Sequence, residues 1–201
     1  MPIIVNKEEK VKEICNKAFD EFTENGIESF SLNQFINNNQ ISKGQFYHYF
    51  KTKDDLIFEV MSQKTLEMMD SLDEFLDSAN SLMEKLYLFF SVYIDDSEET
   101  LRYRKLMFDT FHLYTHSNNP KVKEFNKVVY EWADAKLIEL FVKESKHGSI
   151  PDSLLPLVKS ISVTADGMYL RSLFVTDYDL KFELTHYLGC LEKTLLKEIY
   201  E

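Results

Sequence analysis

Residues 41–56 read ISKGQFYHYFKTKDDL. Lys43, Gly44 and Gln45 open the stretch, Tyr47 and His48 follow, and Lys51 and Lys53 close it. These residue types suit a polyanion read by sequence. Lysine neutralises phosphate, and a glutamine amide can pair bidentately with adenine N6 and N7. Gly44 is a poor helix former, yet without a side chain it lets backbone approach a duplex closely. Tyr47 and His48 carry hydrogen-bonding tips suited to phosphate oxygens. The surroundings sharpen this reading. The chain has a formal charge of −11, but residues 29–53 contain no acid. Residues 1–53 hold seven lysines and seven acids, so the whole excess of acid lies in residues 54–201. A small cation-rich face is attached to an acidic body.

Four regular start signals position these residues. Asn6 precedes Glu9, Ser31 precedes Gln34, Ser42 precedes Gln45 and Thr52 precedes Asp55, each a cap with a partner three positions on. The first helix is predicted over 7–25, with Val11, Ile14, Cys15, Ala18, Phe19 and Phe22 on one stripe and Asn25-Gly26 as its stop. A short second helix over 32–38 buries Leu32, Phe35 and Ile36. After a turn at Asn39-Gln40-Ile41 a third runs from Ser42 to about Tyr49, with Phe46 and Phe50 facing inward. The fourth follows Thr52 and reaches about Ser78, its inward stripe being Leu56, Val60, Met61, Met68, Leu72, Phe75 and Leu76. Further helices are predicted near 81–95, 98–116, 120–147, 152–175 and 179–200, for nine helices and no strand. No Gly or Pro occurs between Gly44 and Pro120, which argues against hairpins, and no two glycines lie close enough to cradle a phosphate. Two short helices joined by a tight turn, the second capped by Ser42, form a candidate helix-turn-helix. A basic helical turn also fits a plain solvated face; the acid-free window and the cap–turn–cap spacing favour DNA.

ISKGQFYHYFKTKDDL resembles the signature of the tetracycline-repressor (TetR) family: a hydrophobic residue, Ser, Lys, Gly, a small polar residue, an apolar residue, Tyr, two polar or aromatic residues, Phe, then Lys-x-Lys before acids and Leu. The motif covers residues 31–60, and the helix order and total length are similar as well. The resemblance implies an all-α, nine-helix TetR-like architecture, with a helix-turn-helix DNA-binding domain over 1–52 (the motif at about 31–50) and a helical ligand-binding and dimerisation domain over 53–201. It implies a transcriptional repressor acting as a homodimer on a palindromic double-stranded operator and responding to a small lipophilic effector. By position, Ser31 would bind phosphate, Asn33 would point to a base or the backbone, and Lys43, Gly44 and Gln45, behind the Ser42 cap, would face the groove. Tyr47, His48 and Lys53 would hold phosphates. The chain departs from the family at Ile36, where Ala is usual, and at Asn39 and Gln40, where Ala-Gly is usual. Without glycine the turn must be adopted by Asn39 or Gln40, and asparagine tolerates a left-handed conformation better than most residues.

The acidic body is rich in rings: residues 86–132 hold 11 of the 28 aromatics. Rings at helical spacing fill a core in most proteins; here the resemblance favours a pocket. The expected lining is Tyr87, Phe90, Tyr93, Met107, Phe111, Trp132 and Met168, taking a neutral or cationic lipophilic molecule. On the last two helices, Val158, Ile161 and Ala165, then Leu184, Leu188, Leu191 and Leu195, form stripes that suit either burial within the chain or a twofold four-helix bundle between two copies, the latter being what the resemblance implies. His112 and His116, one turn apart with Asp109 before them, lack the support of a metal-binding motif, and no catalytic motif is recognisable. The expectation is therefore no enzyme, no metal and no cofactor. Cys15 and Cys190 read as buried structural thiols. The most apolar stretch, LYLFFSVYI, is too short to span a membrane, and MPIIVNKEEK lacks a signal-peptide core, so the expected location is cytoplasmic. The alternative function is a DNA-binding protein of the same fold with no small-molecule effector, controlled by a protein partner or acting architecturally.

Overall fold

The computed structural model of the protein describes residues 7–200, apart from the side chains at 112 and 198–200. Ten helices occur among the described residues, and no strand: α1 Lys7–Asn25, α2 Leu32–Asn38, α3 Lys43–Tyr49, α4 Lys53–Ser78, α5 Leu82–Phe89, α6 Ser91–Ile94, α7 Glu98–His116, α8 Pro120–Glu144, α9 Leu155–Phe174 and α10 Leu180–Tyr200. The one helix beyond expectation is α6. The segment predicted as a single helix over 81–95 breaks at Phe90, whose backbone takes φ −97°, ψ 17° while its N–H still closes α5 on Leu86. The expected Asn6 cap lies outside the described residues. The other three caps form. Ser31 Oγ accepts from Gln34 N at 3.5 Å, Ser42 Oγ from Gln45 N at 3.1 Å, and Thr52 and Asp55 exchange two bonds of 3.0 Å.

The chain groups into two compact units, one of the residues up to Met69 with Glu98–Val122, the other of Asp70–Ser97 with Lys123 onward. In the first, the apolar stripe of α1 (Ile14, Cys15, Ala18, Phe22) meets Phe35 and Ile36 of α2, Phe46 of α3 and Leu56, Ile57, Val60 and Met61 of α4. A chain of rings stitches this core: Phe22 to Phe30 at 4.7 Å, Phe30 to Phe35 at 5.2 Å, and Phe46 to Phe50 at 5.3 Å. Such pairs add about 0.5–1.5 kcal/mol each beyond their buried area. Burial pushes the Cys15 thiol up to about 12, so it is an inert packing group. Gly26, at φ 78°, ends α1 with its N–H on Phe22 O. α7 packs along α1, with Phe19 and Tyr103 6.3 Å apart.

In the second unit α10 packs on α5, α6 and α9. The expected dimer residues Val158, Ile161, Ala165, Leu184, Leu188 and Leu195 are fully buried there within the single chain, and Leu191 is partly buried. For the six fully buried residues this corrects the assignment to a surface between copies: the regular stripe is the seam of α9 with its own neighbours. The exposed apolar residues of these helices lie elsewhere, at Val163, Leu170 and Phe174 of α9 and Phe182 of α10. Cys190 is also exposed, not buried as expected. In α4 the buried stripe runs through Met69, Leu72 and Leu76, whereas Met68 and Phe75 are exposed. The spacing of three and four is kept; only the register differs by one residue at Met69.

Candidate nucleic-acid interface and effector region

The turn between α2 and α3 sets the interface. Asn39 ends α2: its backbone N–H donates to Phe35 O at 3.1 Å and its Nδ2 donates to the same carbonyl at 3.0 Å. With Asn39 held near φ −94°, Gln40 takes the left-handed conformation at φ 54°, and Ile41 N then closes on Ile36 O at 2.9 Å. Asparagine was the better candidate by intrinsic preference; its side chain is instead spent on the helix end. Ile36 and Ile41 are both buried beneath the turn.

α3 leaves this turn with Phe46 buried below it and its polar side outward. Lys43, Gly44, Tyr47 and His48 are exposed, Ser42 is exposed at the cap, and Gln45 is partly exposed. A Cβ built on Gly44 would meet nothing within 4 Å, so glycine is not demanded by the fold there. Tyr47 keeps 55% of its surface exposed, with its ring edge-on to Phe46 at 5.4 Å. His48 lies edge-on to Tyr49 at 5.1 Å. On α2, Asn33 is exposed and Ser31 partly so. Thus α3 presents a lysine, an amide, a phenol and an imidazole on one exposed helical segment.

Lys53 is different. Its ammonium donates to Ile27 O at 2.8 Å and Phe30 O at 2.9 Å, and lies 5.4 Å from the Phe30 ring centroid. Beside the expected phosphate-holding role the structure gives this cation another: it ties the start of α4 to the α1–α2 loop. Lys51, next to it, is exposed.

The expected effector lining is divided between the two units. Met107 packs against the core of the first unit, and Phe111 belongs to that unit and is exposed. Tyr87, Phe90, Tyr93, Trp132 and Met168 belong to the second unit. There Phe89 stacks on Trp132 at 6.0 Å, Phe90 contacts Phe89 and Tyr93, and Tyr93 lies 5.8 Å from Tyr169. Phe90 is 2% exposed, Met168 and Trp132 are partly buried, and Tyr87 is exposed. Sequence reasoning missed Asp166, which accepts the Tyr93 hydroxyl on Oδ1 at 2.5 Å. Burial raises its carboxyl above the ordinary range, against the opposing pull of that hydrogen bond. The signal was available: Asp166 is the sole acid of α9.

The second unit also has a cleft of about 160 Å³ lined by Asp73, Leu76, Asp77, Lys85, Lys136, Glu139, Leu140 and Lys143. Most of its charges are paired. Lys136 meets Asp73 at 2.7 Å and Glu139 at 2.8 Å, and Lys143 meets Glu139 at 2.8 Å. The two lysines hold the Glu139 carboxyl down to about 2. This is an ion network, not a lipophilic pocket. Elsewhere, Asp109 pairs with Lys105 at 3.7 Å, His116 is exposed, and the His112 side chain lies outside the described residues. No group of three potential metal ligands occurs among the described residues. No described helix is long and apolar enough to cross a membrane.

Residues 14–60 match the sequence model of the bacterial regulatory proteins of the tetR family. That segment is similar to the N-terminal module of those regulators, and it is under half of the chain. The matched residues include the turn, α3 and the ring-filled core of the first unit. No match is found among curated proteins. Solved structures share the fold of the tetR-like chain. A TetR/AcrR family regulator superposes with a TM-score of 0.66 at 18% identity, covering 94% of this chain and 100% of its own. A transcriptional regulator from Saccharomonospora viridis in complex with choline gives 0.73 at 14%, covering 93% and 97%. FadR from Bacillus subtilis in complex with stearoyl-CoA gives 0.58 at 17%, covering 94% and 97%.

Proposed function

We propose that the protein is a ligand-responsive transcriptional repressor that binds a palindromic operator as a homodimer, with α3 in the major groove. The observation that carries this reading is the exposed face of α3, where Lys43, Gln45, Tyr47 and His48 stand together in an acid-free stretch of a strongly acidic chain. Gln45 reads a base edge; Lys43, Tyr47, His48 and the N-terminal end of α2 at Ser31 and Asn33 hold the backbone. Gly44 keeps the helix start slim. Pairing of two copies uses the exposed apolar face of α9 and α10, since the inner stripes are occupied by intrachain packing. Phe174 is 78% exposed and Phe182 61%, large apolar rings left facing solvent in the single chain.

Ligand response is supported by two neighbours of the same fold that hold choline and stearoyl-CoA. The ring cluster around Phe90, Tyr93, Trp132 and Met168 is the part of this chain suited to an apolar ligand. The close packing of Phe90 favours a second reading, in which no effector binds and a protein partner controls the regulator. Selection from random duplexes by the purified protein, followed by operator titration with candidate ligands present, separates these. An enriched palindrome released by a small molecule supports the first reading. An enriched palindrome insensitive to every ligand that binds supports the second, and no enrichment refutes both.

A further inference from the structure

Asp166 is an odd residue for a helix core. α9 is otherwise free of acids, and its neighbours Ala165 and Tyr169 are buried. Its carboxylate accepts the Tyr93 hydroxyl, and among the described residues no lysine or arginine forms an ion pair with it. When ionised, this partly buried carboxylate has no countercharge among the described residues. Rings surround it. Tyr93 lies 5.8 Å from Tyr169 and 6.4 Å from Phe90, and the Tyr130 phenol is raised first by burial and then by the Asp166 charge. Tyr130 is 47% exposed, which gives the cluster an edge open to solvent. A carboxylate supplies the charge that an organic cation needs on leaving water, and ring faces attract a cation through their quadrupoles by about 0.5–2 kcal/mol each. A buried acid without a countercharge costs stability and is retained in sites that use it.

We propose that Asp166, with the rings of Tyr93, Tyr130 and Tyr169, binds an organic monocation: a tertiary or quaternary ammonium on an apolar body. This rests on the ligand-responsive reading and narrows it to one charge class. A neutral ligand leaves the carboxylate uncompensated, and an anion meets it as a like charge. The hydroxyl of Tyr93 holds the carboxylate in place while the site is empty.

The test compares phenyltrimethylammonium with tert-butylbenzene, its neutral isostere of equal shape. Binding is followed by fluorescence of Trp132, the single tryptophan, and each probe is then titrated into the protein–operator complex. Wild type is expected to bind the cation at least tenfold more tightly than the isostere. Asp166→Asn, which keeps the shape and the acceptor for Tyr93, is expected to abolish that preference while leaving the isostere unchanged. Tyr93→Phe, which keeps the ring and removes the competing hydroxyl, is expected to retain it. Equal binding of both probes, or a preference that survives Asp166→Asn, overturns the proposal. If the neutral isostere also releases the operator, the ligand-responsive reading survives that failure. If the cation binds through Asp166 yet leaves operator affinity unchanged, the site stands and the ligand-responsive reading falls. Absence of binding by either probe overturns the proposal.

Discussion

Replacing Lys53 with alanine distinguishes a cation that builds the interface from one that touches DNA. Two carbonyls, of Ile27 and Phe30, accept from this ammonium at 2.8 and 2.9 Å. Hydrogen bonds to charged groups contribute about 1.5–3 kcal/mol each when buried. Lys53 is only partly buried, so water replaces part of that, and the pair together is expected to contribute about 1–3 kcal/mol. The contact with the Phe30 ring adds about 0.5 kcal/mol at such a site. With a urea slope of about 2 kcal/mol/M, a loss of 2 kcal/mol lowers the unfolding midpoint by about 1 M. The comparison variant is Lys43→Ala, an exposed residue of α3 with no part in the core. Lys43→Ala should unfold like wild type within about 0.5 kcal/mol, yet lower the salt slope of operator binding by about one unit. Urea unfolding and anisotropy titrations over a range of salt give both numbers for both variants. The reasoning is refuted if Lys53→Ala keeps the wild-type midpoint and instead loses one unit of salt slope.

Three further outcomes follow from the same geometry. Gln40→Gly relieves the left-handed strain at φ 54° and should raise stability by about 0.5–1 kcal/mol after the entropy of glycine is counted, read as a higher urea midpoint; a lower one contradicts the turn described above. Phe174→Glu should give a folded monomer by sedimentation, whereas Leu188→Glu, at a fully buried position, should lose helical circular dichroism; a Phe174→Glu dimer would exclude the exposed face as the pairing surface. Asp166→Asn should raise the thermal midpoint at pH 7 without ligand. The folded chain holds the Asp166 proton more tightly than the unfolded chain, so the ionised form weakens the fold above its raised pKa. That penalty disappears as pH falls toward the ordinary value of about 3.9, and so should the difference between variant and wild type. An equal midpoint at pH 7 contradicts the uncompensated carboxylate.

Local signals were readable where one segment decides its own structure. α2 and α7 start and stop where caps and apolar spacing place them, α1 stops at Asn25-Gly26, and the Thr52–Asp55 pair forms a full reciprocal cap. Tertiary choices were not readable in the same way. The stripe through Val158, Ile161 and Ala165 has the same spacing whether its partner is α10 of the same chain or a second copy, so periodicity alone could not tell core from interface. Met107 and Phe111 are aromatic or apolar neighbours of the ring-rich region in sequence, but α7 is placed against α1. A lysine in an acid-free window suits phosphate, and nothing local discloses that Lys53 meets carbonyls 23 and 26 positions away. Asp166 had a signal, a single acid in an apolar helix, that a search for aromatic lining passed over.

The central claim is that α3 reads bases, with Gln45 as a specificity residue. Parallel selections from random duplexes by wild type and Gln45→Ala test it most directly. The account predicts that wild type enriches a palindrome whose half-sites lie about one helical turn apart or a multiple of it, and that the variant enriches the same palindrome with choice relaxed at one position per half-site. At that position its affinity for the wild-type sequence should fall by about 1–3 kcal/mol. No enriched sequence for wild type, or an identical motif of identical affinity for the variant, would contradict it.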